Sequence, residues 1–195
     1  HTINSFYPDI VLLSSFGSPE AAVLLHMVCA SQYKRVPIVT LDTGRLPEET
    51  FHYIDRIRNK YDVNVDVLFP NPCAVQKMVT EKGPNLFYDS VENRKECCGV
   101  RKVDVFDRYT KANNVRAYIS GLRREHSIER AKAHMIERKM DPMKINPLID
   151  WSTKDVWDYV EIHKIPVHSL NLKSYPSVGC APCTRAVTIK GADPR

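Results

Sequence analysis

The sequence predicts an α/β fold, a parallel sheet with helices on both faces, and three observations predict it. Apolar runs rich in β-branched residues alternate with segments of helical period along most of the chain. The helical segments tend to open on a capping serine or a proline. The segments that follow three of the strands carry glycines, hydroxyls and arginines, the groups that meet ligands at the carboxyl edge of a parallel sheet.

The elements follow in order. "DIVLL" (9–13) reads as a buried strand. Ser18 as N-cap and Pro19 at the first helical position then start a helix over 19–32, with Val23, Leu24, Met27 and Val28 turned inward. After the strand "VPIVTL" (36–41), Pro47 opens a helix over 47–61, in which Phe51, Ile54, Ile57 and Tyr61 recur at three- and four-residue steps. "VNVDVLF" (63–69) is the third strand, and a helix over 98–112 buries Val103, Phe106 and Tyr109. The fourth strand is "VRAYIS" (115–120), and "STKDVWDYVEIHK" is a helix behind the cap Ser152. "YPSVGCAPCTRAVTIKGADPR" has no period and reads as a site loop.

A chain of 195 residues predicts one domain, 1–195, which buries roughly 70% of its unfolded surface without needing cross-links. Hydrophobic residues make up 43% and charged residues 26%. No apolar run approaches the ~18 residues of a membrane span, and no basic-then-apolar leader opens the chain. A soluble, cytoplasmic protein with no membrane partner is expected. The first residue is His1 and the last is the Arg195 of "KGADPR", so both ends read as cut from a longer chain. The net charge of +5 suits an anionic small molecule, and both signs are interspersed rather than gathered into a basic arm, so no nucleic-acid partner is predicted.

Four constellations carry chemistry. "SSFGSPE" sets Ser14, Ser15, Gly17 and Ser18 between a strand and a helix, where backbone amides and hydroxyls can cradle a phosphate and Gly17 lets the backbone approach it; the plain alternative is a capped turn. "LDTG" (41–44) ends a strand and can present backbone groups to a base or ribose, or be only a turn. "GLRREHSIER" gathers Gly121, Arg123, Arg124 and Arg130, whose forked guanidiniums suit phosphate or sulfate. For any one of these arginines, a solvated, salt-bridged surface is the better reading.

The strongest signal lies in the six cysteines. Cys97 and Cys98 are adjacent at a predicted helix start, and Cys180 and Cys183 form C-x-x-C in the loop. Four thiolates from two separated pairs make a sulfur site for zinc or an iron-sulfur cluster. Consecutive side chains diverge, which suits a cluster offering each a separate iron better than a single zinc; the alternative is two unrelated pairs of buried thiols. Lys102, four residues beyond Cys98, is predicted to share its helical face and to sit between the thiolates and a bound anion. Cys29 and Cys73 read as core or surface thiols.

In series, "SSFG", "LDTGRLPEETF", "ECCGVRK", "GLRRE", "PLIDWS" and "YPSVGCAPCT" resemble the assimilatory adenylyl-sulfate (APS) and phosphoadenylyl-sulfate (PAPS) reductases along nearly the whole chain. The resemblance implies a Rossmann-like sheet related to the PP-loop, adenine nucleotide alpha hydrolase-like, enzymes. It implies a [4Fe-4S] cluster on Cys97, Cys98, Cys180 and Cys183, and with it the APS-type branch. Ser15 and Gly17 then look like the phosphate loop, Leu41 and Thr43 like adenosine contacts, and Gly121 like a close approach to the nucleotide. Lys102, Arg130 and Arg195 look like the anion grip. The implied reaction is thioredoxin-dependent reduction of APS to sulfite and AMP through a cysteine S-sulfo intermediate, with thioredoxin or a glutaredoxin-like protein as reductant.

In that family the nucleophilic cysteine belongs to a C-terminal tail, and no cysteine follows Cys183 here. The fragment is therefore expected to bind substrate without turning it over, with Lys102 in a supporting role. His126 stands where the family usually has glutamine. A PAPS or dual-specificity reductase is the alternative among enzymes, and a metal-stapled nucleotide- or nucleic-acid-binding redox module is the alternative outside them. Homo-oligomerisation is left open.

Overall fold

The computed structural model describes residues 5–31 and 35–187. Arg195, assigned above to the anion grip, lies outside the described residues. Among the described residues, β1 (Ile10–Leu13), β2 (Ile38–Leu41), β3 (Asp66–Leu68), β4 (Ala117–Ile119), β5 (Ile136–Glu137) and β6 (Met143–Ile145) form one sheet in the order β3-β2-β1-β4-β6-β5. All pairings are parallel except β5 on β6. Leu12 of β1 lies between Ile38 of β2 and Ile119 of β4, so the sheet centre is a continuous apolar layer.

The chain winds outward from β1 to β3, then crosses to β4 on the other side of β1. Strand order reverses between β1 and β4, and the loops leaving those strands part at their carboxyl ends. A parallel sheet opens its binding crevice at such a point.

Helix α1 (Pro19–Cys29) follows β1. Its cap is as expected, with Ser18 Oγ accepting from Ala21 N at 3.3 Å. Ala22, Val23 and Leu25 are fully buried because α1 is covered by the sheet and by α6 (Thr153–Ile162). A helix buried on most sides needs no polar stripe. Helix α2 (Glu48–Tyr61) is amphipathic and sinks Tyr53, Ile54 and Ile57 into the same core.

Helix α3 (Pro72–Lys82) was not legible from periodicity, for only Met78 is buried on it; its signal is the Asn71 cap followed by Pro72. The helix predicted over 98–112 is corrected. Helix α4 (Val91–Cys98) starts at Ser90, whose Oγ accepts from Asn93 N at 3.0 Å. A π-helical stretch, Gly99–Val103, joins it to α5 (Asp104–Ala112). Cys97 and Cys98 thus end a helix rather than open one. The polar "VENRKE" carries no apolar stripe to announce α4, and the wide π turn changes the register on which Lys102 was placed.

Candidate active site

The crevice is a cleft of about 1180 Å³ at the carboxyl edge of the sheet. Ser15, Leu41, Thr43, Lys102, Gly121 and Arg130 all line it, so six positions drawn from four separate segments meet at one place.

The loop after β1 is folded on its own hydroxyls. Ser14 Oγ accepts from Phe16 N at 3.2 Å, and Ser15 Oγ accepts from Gly17 N at 3.4 Å. Phe16 adopts φ 55°, a conformation that costs a non-glycine residue about 1 kcal/mol or more. Its ring repays this by full burial against Tyr53, at 6.0 Å between centroids.

Gly17 is not among the residues that line the cleft. A Cβ there would fall 1.8 Å from the Val178 carbonyl oxygen. Val178 N donates to Gly17 O at 2.7 Å, and Asn171 Nδ2 donates to the same oxygen at 3.1 Å. The missing side chain makes room for protein backbone, and that contact seats the segment carrying Cys180 against the serine loop. Gly121 is similar in kind, since its Cβ would stand 3.0 Å from Glu20 Cβ on α1, although Gly121 also borders the cleft.

In "LDTG", Asp42 Oδ1 accepts from Gly44 N at 2.8 Å, and Gly44 takes φ 69°, so the acid and the glycine build the turn. Thr43, only 1% exposed, is the junction. Its Oγ1 lies 3.2 Å from Cys180 Sγ, and its carbonyl accepts from Arg101 Nη1 at 2.6 Å. Next to it, Arg45 O accepts from Ala181 N at 2.8 Å, and the Arg45 guanidinium spans Pro84 O, Asn85 Oδ1 and the Phe87 ring. One turn therefore fastens both cysteine-bearing segments.

All six cysteines are free thiols. Cys97 and Cys180 are buried, Cys98 is half-buried and Cys183 is exposed. Burial pushes the Cys97 thiol up; Arg101 pulls it down, while Cys98 and Cys180 push it further up. Burial and Cys180 raise Cys183, opposed by Arg94 and Lys102, with Cys98 adding to the rise. Each pair thus feels the other. Among the described residues, no three His, Cys, Asp or Glu side chains form a group that could hold a metal ion. Cys29 is buried in the main core and Cys73 is exposed, as expected of thiols outside the site.

The arginines of the β4 loop separate by role. Arg123 is 4% exposed and forms a buried ion pair, Nε to Glu20 Oε1 at 2.8 Å. It also donates to Glu125, Trp151 O and Thr153 Oγ1. Burial pushes the Glu20 carboxyl up, but the His126 hydrogen bond, a backbone amide and the charge of Arg123 outweigh it and bring the carboxyl to about 2. Arg124 pairs with Asp150. Arg130 remains on the cleft, with Nη1 3.1 Å from His126 Nδ1.

Three cleft residues gave no clear sign in the sequence. Glu20 stands in the first turn of α1, and Lys144 sits inside a short strand rather than in a loop. Burial lowers the Lys144 ammonium, with Glu137 opposing and Arg130 adding to the fall. Asn171 is pinned by Nδ2 to Gly17 O and Tyr175 O.

Known proteins resemble this chain in sequence and fold. The phosphoadenosine phosphosulfate reductase domain matches residues 9–186. An adenosine 5'-phosphosulfate reductase of Burkholderia cepacia is 42% identical over 92% of this chain and 71% of its own length. One from Allochromatium vinosum is 40% identical over 96% of this chain and 72% of its own. A phosphoadenylyl-sulfate reductase from Candida auris, solved as a phosphate complex, superposes with a TM-score of 0.76 at 21% identity, covering 94% of this chain and 86% of that one. An FMN adenylyltransferase of Candida glabrata superposes at 0.69 with 14% identity, over 100% of this chain and 65% of its own, so the likeness there is of fold alone. With 178 of its positions, residues 9–186, inside that domain and two curated relatives at 40% identity or above, the chain belongs to the phosphoadenosine phosphosulfate reductase family.

Proposed function

We propose that this protein is a sulfur-group oxidoreductase whose cleft takes adenylyl sulfate and whose reaction yields sulfite and AMP. One observation carries the reading: Thr43 lines the cleft and also touches Cys180 Sγ, so the crevice and one of the four proposed cluster ligands share a wall. Relatives named adenosine 5'-phosphosulfate reductase support the substrate.

In this reading Ser15 and the amides of its loop hold the phosphate, and Leu41 and Thr43 border the adenosine. Lys102 and Arg130 face the phosphate and sulfate oxygens, where fixed cations stabilise charge without reorganising. A cysteine thiolate from a C-terminal segment attacks the sulfate sulfur, the S–O bond to AMP breaks, and the cysteine becomes S-sulfocysteine. A dithiol reductant of thioredoxin type then attacks that cysteine's sulfur. Sulfite leaves, and the reductant ends as a disulfide.

The donor set fits a [4Fe-4S] cluster in number and chemistry, although the four side chains as they stand are not gathered into a metal-holding group. Cys97, Cys98, Cys180 and Cys183 supply four thiol ligands, buried and half-buried ones among them, and all are unbridged. A cluster bound there would supply a fixed charge beside the sulfate-facing lysine. Cys97→Ser or Cys180→Ser is expected to reduce iron from about four per chain to near zero, read by iron assay and visible absorption. Iron retained by either variant sinks the ligand set.

Binding tests the function. Calorimetric titration of this protein should show AMP and adenylyl sulfate binding that falls at least about tenfold in Lys102→Ala, the loss of one charge-assisted contact. Absence of nucleotide binding overturns the reading. Lys144 and Arg130 together favour one second reading, in which a 3'-phosphate is also accepted, and competition with PAPS decides it. The chain has no described helix long and apolar enough to cross a membrane, and a cytoplasmic setting keeps four thiols reduced for a cluster.

A further inference from the structure

We propose that His126 is the positioning residue for Arg130, holding it toward the cleft as a neutral imidazole with its proton on Nε2. The inference rests on the anion-grip reading of Arg130.

The hydrogen bonds decide the tautomer. Two groups approach His126 Nδ1, the Arg123 backbone N–H at 3.3 Å and Arg130 Nη1 at 3.1 Å. Both can only donate, so Nδ1 must present its lone pair. On the other side of the ring, Nε2 lies 3.2 Å from Glu20 Oε1. Glu20 is a carboxylate, since Arg123 Nε holds its Oε1 in a buried ion pair at 2.8 Å. A carboxylate only accepts, so Nε2 carries the proton. The ring thus receives on one nitrogen and donates on the other, with no interchange available.

The result is a short chain of dipoles from the buried Glu20–Arg123 pair, through an imidazole 23% exposed, to a guanidinium on the cleft wall. Such a chain polarises in one direction, because the carboxylate makes Nδ1 a better acceptor for Arg130. It also gives the buried pair a use. Glu20 and Arg123 are rigid parts of α1 and the β4 loop, and His126 carries that rigidity to a residue on the more exposed 128–132 turn. Around the ring stand Glu20 from α1, Arg123 and Glu125 from its own turn, and Arg130 from the next.

A double-substitution cycle on AMP binding, with the ring observed directly, tests this. His126→Ala is expected to weaken AMP binding about tenfold, as loss of a hydrogen bond to a charged group does. Arg130→Ala should weaken it at least as much, and the double variant no further than Arg130→Ala alone. His126→Gln, which keeps one acceptor and one donor, should bind nearly as the wild type does. Nitrogen NMR of the wild-type ring should show Nδ1 bare and Nε2 protonated at neutral pH. Independent, multiplying effects in the cycle, or a protonated Nδ1, overturn the inference. If Arg130→Ala binds AMP normally, the anion-grip reading fails, and the role given to His126 fails with it.

Discussion

Arg123→Met is expected to cost the fold roughly 3–5 kcal/mol, the loss seen when one partner of a buried ion pair is removed. The guanidinium holds Glu20, Glu125, Trp151 O and Thr153 together, and the carboxyl it leaves behind is buried under the cleft. Replacing Glu20 as well, in Arg123→Met with Glu20→Gln, should recover a large part of the loss, because the uncompensated charge is what makes the single variant costly. The pair also sets an acid limit. Glu20 in the folded protein sits at about 2 against an ordinary 4.5, so its contribution, roughly 3 kcal/mol, is complete above the ordinary value and disappears as pH falls through about 2. Urea unfolding at pH 7 and pH 3 reads both effects. The wild type should lose stability between those values, and the single variant should lose less of it. A variant within about 1 kcal/mol of wild type at pH 7 would mean the pair is no stronger than a surface bridge.

Gly17→Ala is the second large effect. Overpacking a core position costs about 1–3 kcal/mol when neighbours can shift. Here the neighbour is the Val178 carbonyl at 1.8 Å from the new Cβ, and backbone held by its own hydrogen bond to Gly17 O cannot turn aside. The expected cost is at the top of that range or above it. More telling is where the damage falls. The 171–183 segment should lift from the serine loop, separating Cys180 from Cys97 and lowering both bound iron and AMP affinity. Gly99→Ala is the matched control, since nothing stands within 4 Å of its Cβ and its φ is −53°. It should leave stability unchanged or slightly higher. Thermal melts and iron assays on both variants make the comparison, and an undisturbed Gly17→Ala would contradict the packing described.

Much of this was legible from residue order. Alternating apolar runs marked β1, β2, β3 and β4, and Ser18, Pro19, Pro47 and Ser152 marked or closely flanked the starts of three helices. Six of the eight residues assigned to substrate line one cleft, because loops at the carboxyl edge of a parallel sheet meet wherever strand order reverses. What stayed hidden was long-range or local in ways that period does not report. Helix α4 has no apolar stripe, β5 and β6 are two and three residues long, and the π-helical stretch after Cys98 breaks the step on which helical faces are counted. The reason for Gly17 depends on Val178, which no local pattern around position 17 can contain. Arg123 and Arg130 look alike in sequence; only burial separates the one that braces the fold from the one that faces the cleft.

The hydrogen bond and close backbone approach between Gly17 and Val178 tie the serine loop to the 171–183 segment. Whatever steadies the 171–183 segment preorganises the serine loop, and whatever fills the loop steadies the segment in return. Thermodynamic reciprocity requires the two factors to be equal, so if the proposed cluster and nucleotide both bind, loss of iron would weaken the hold on nucleotide by the same factor as nucleotide tightens the hold on iron.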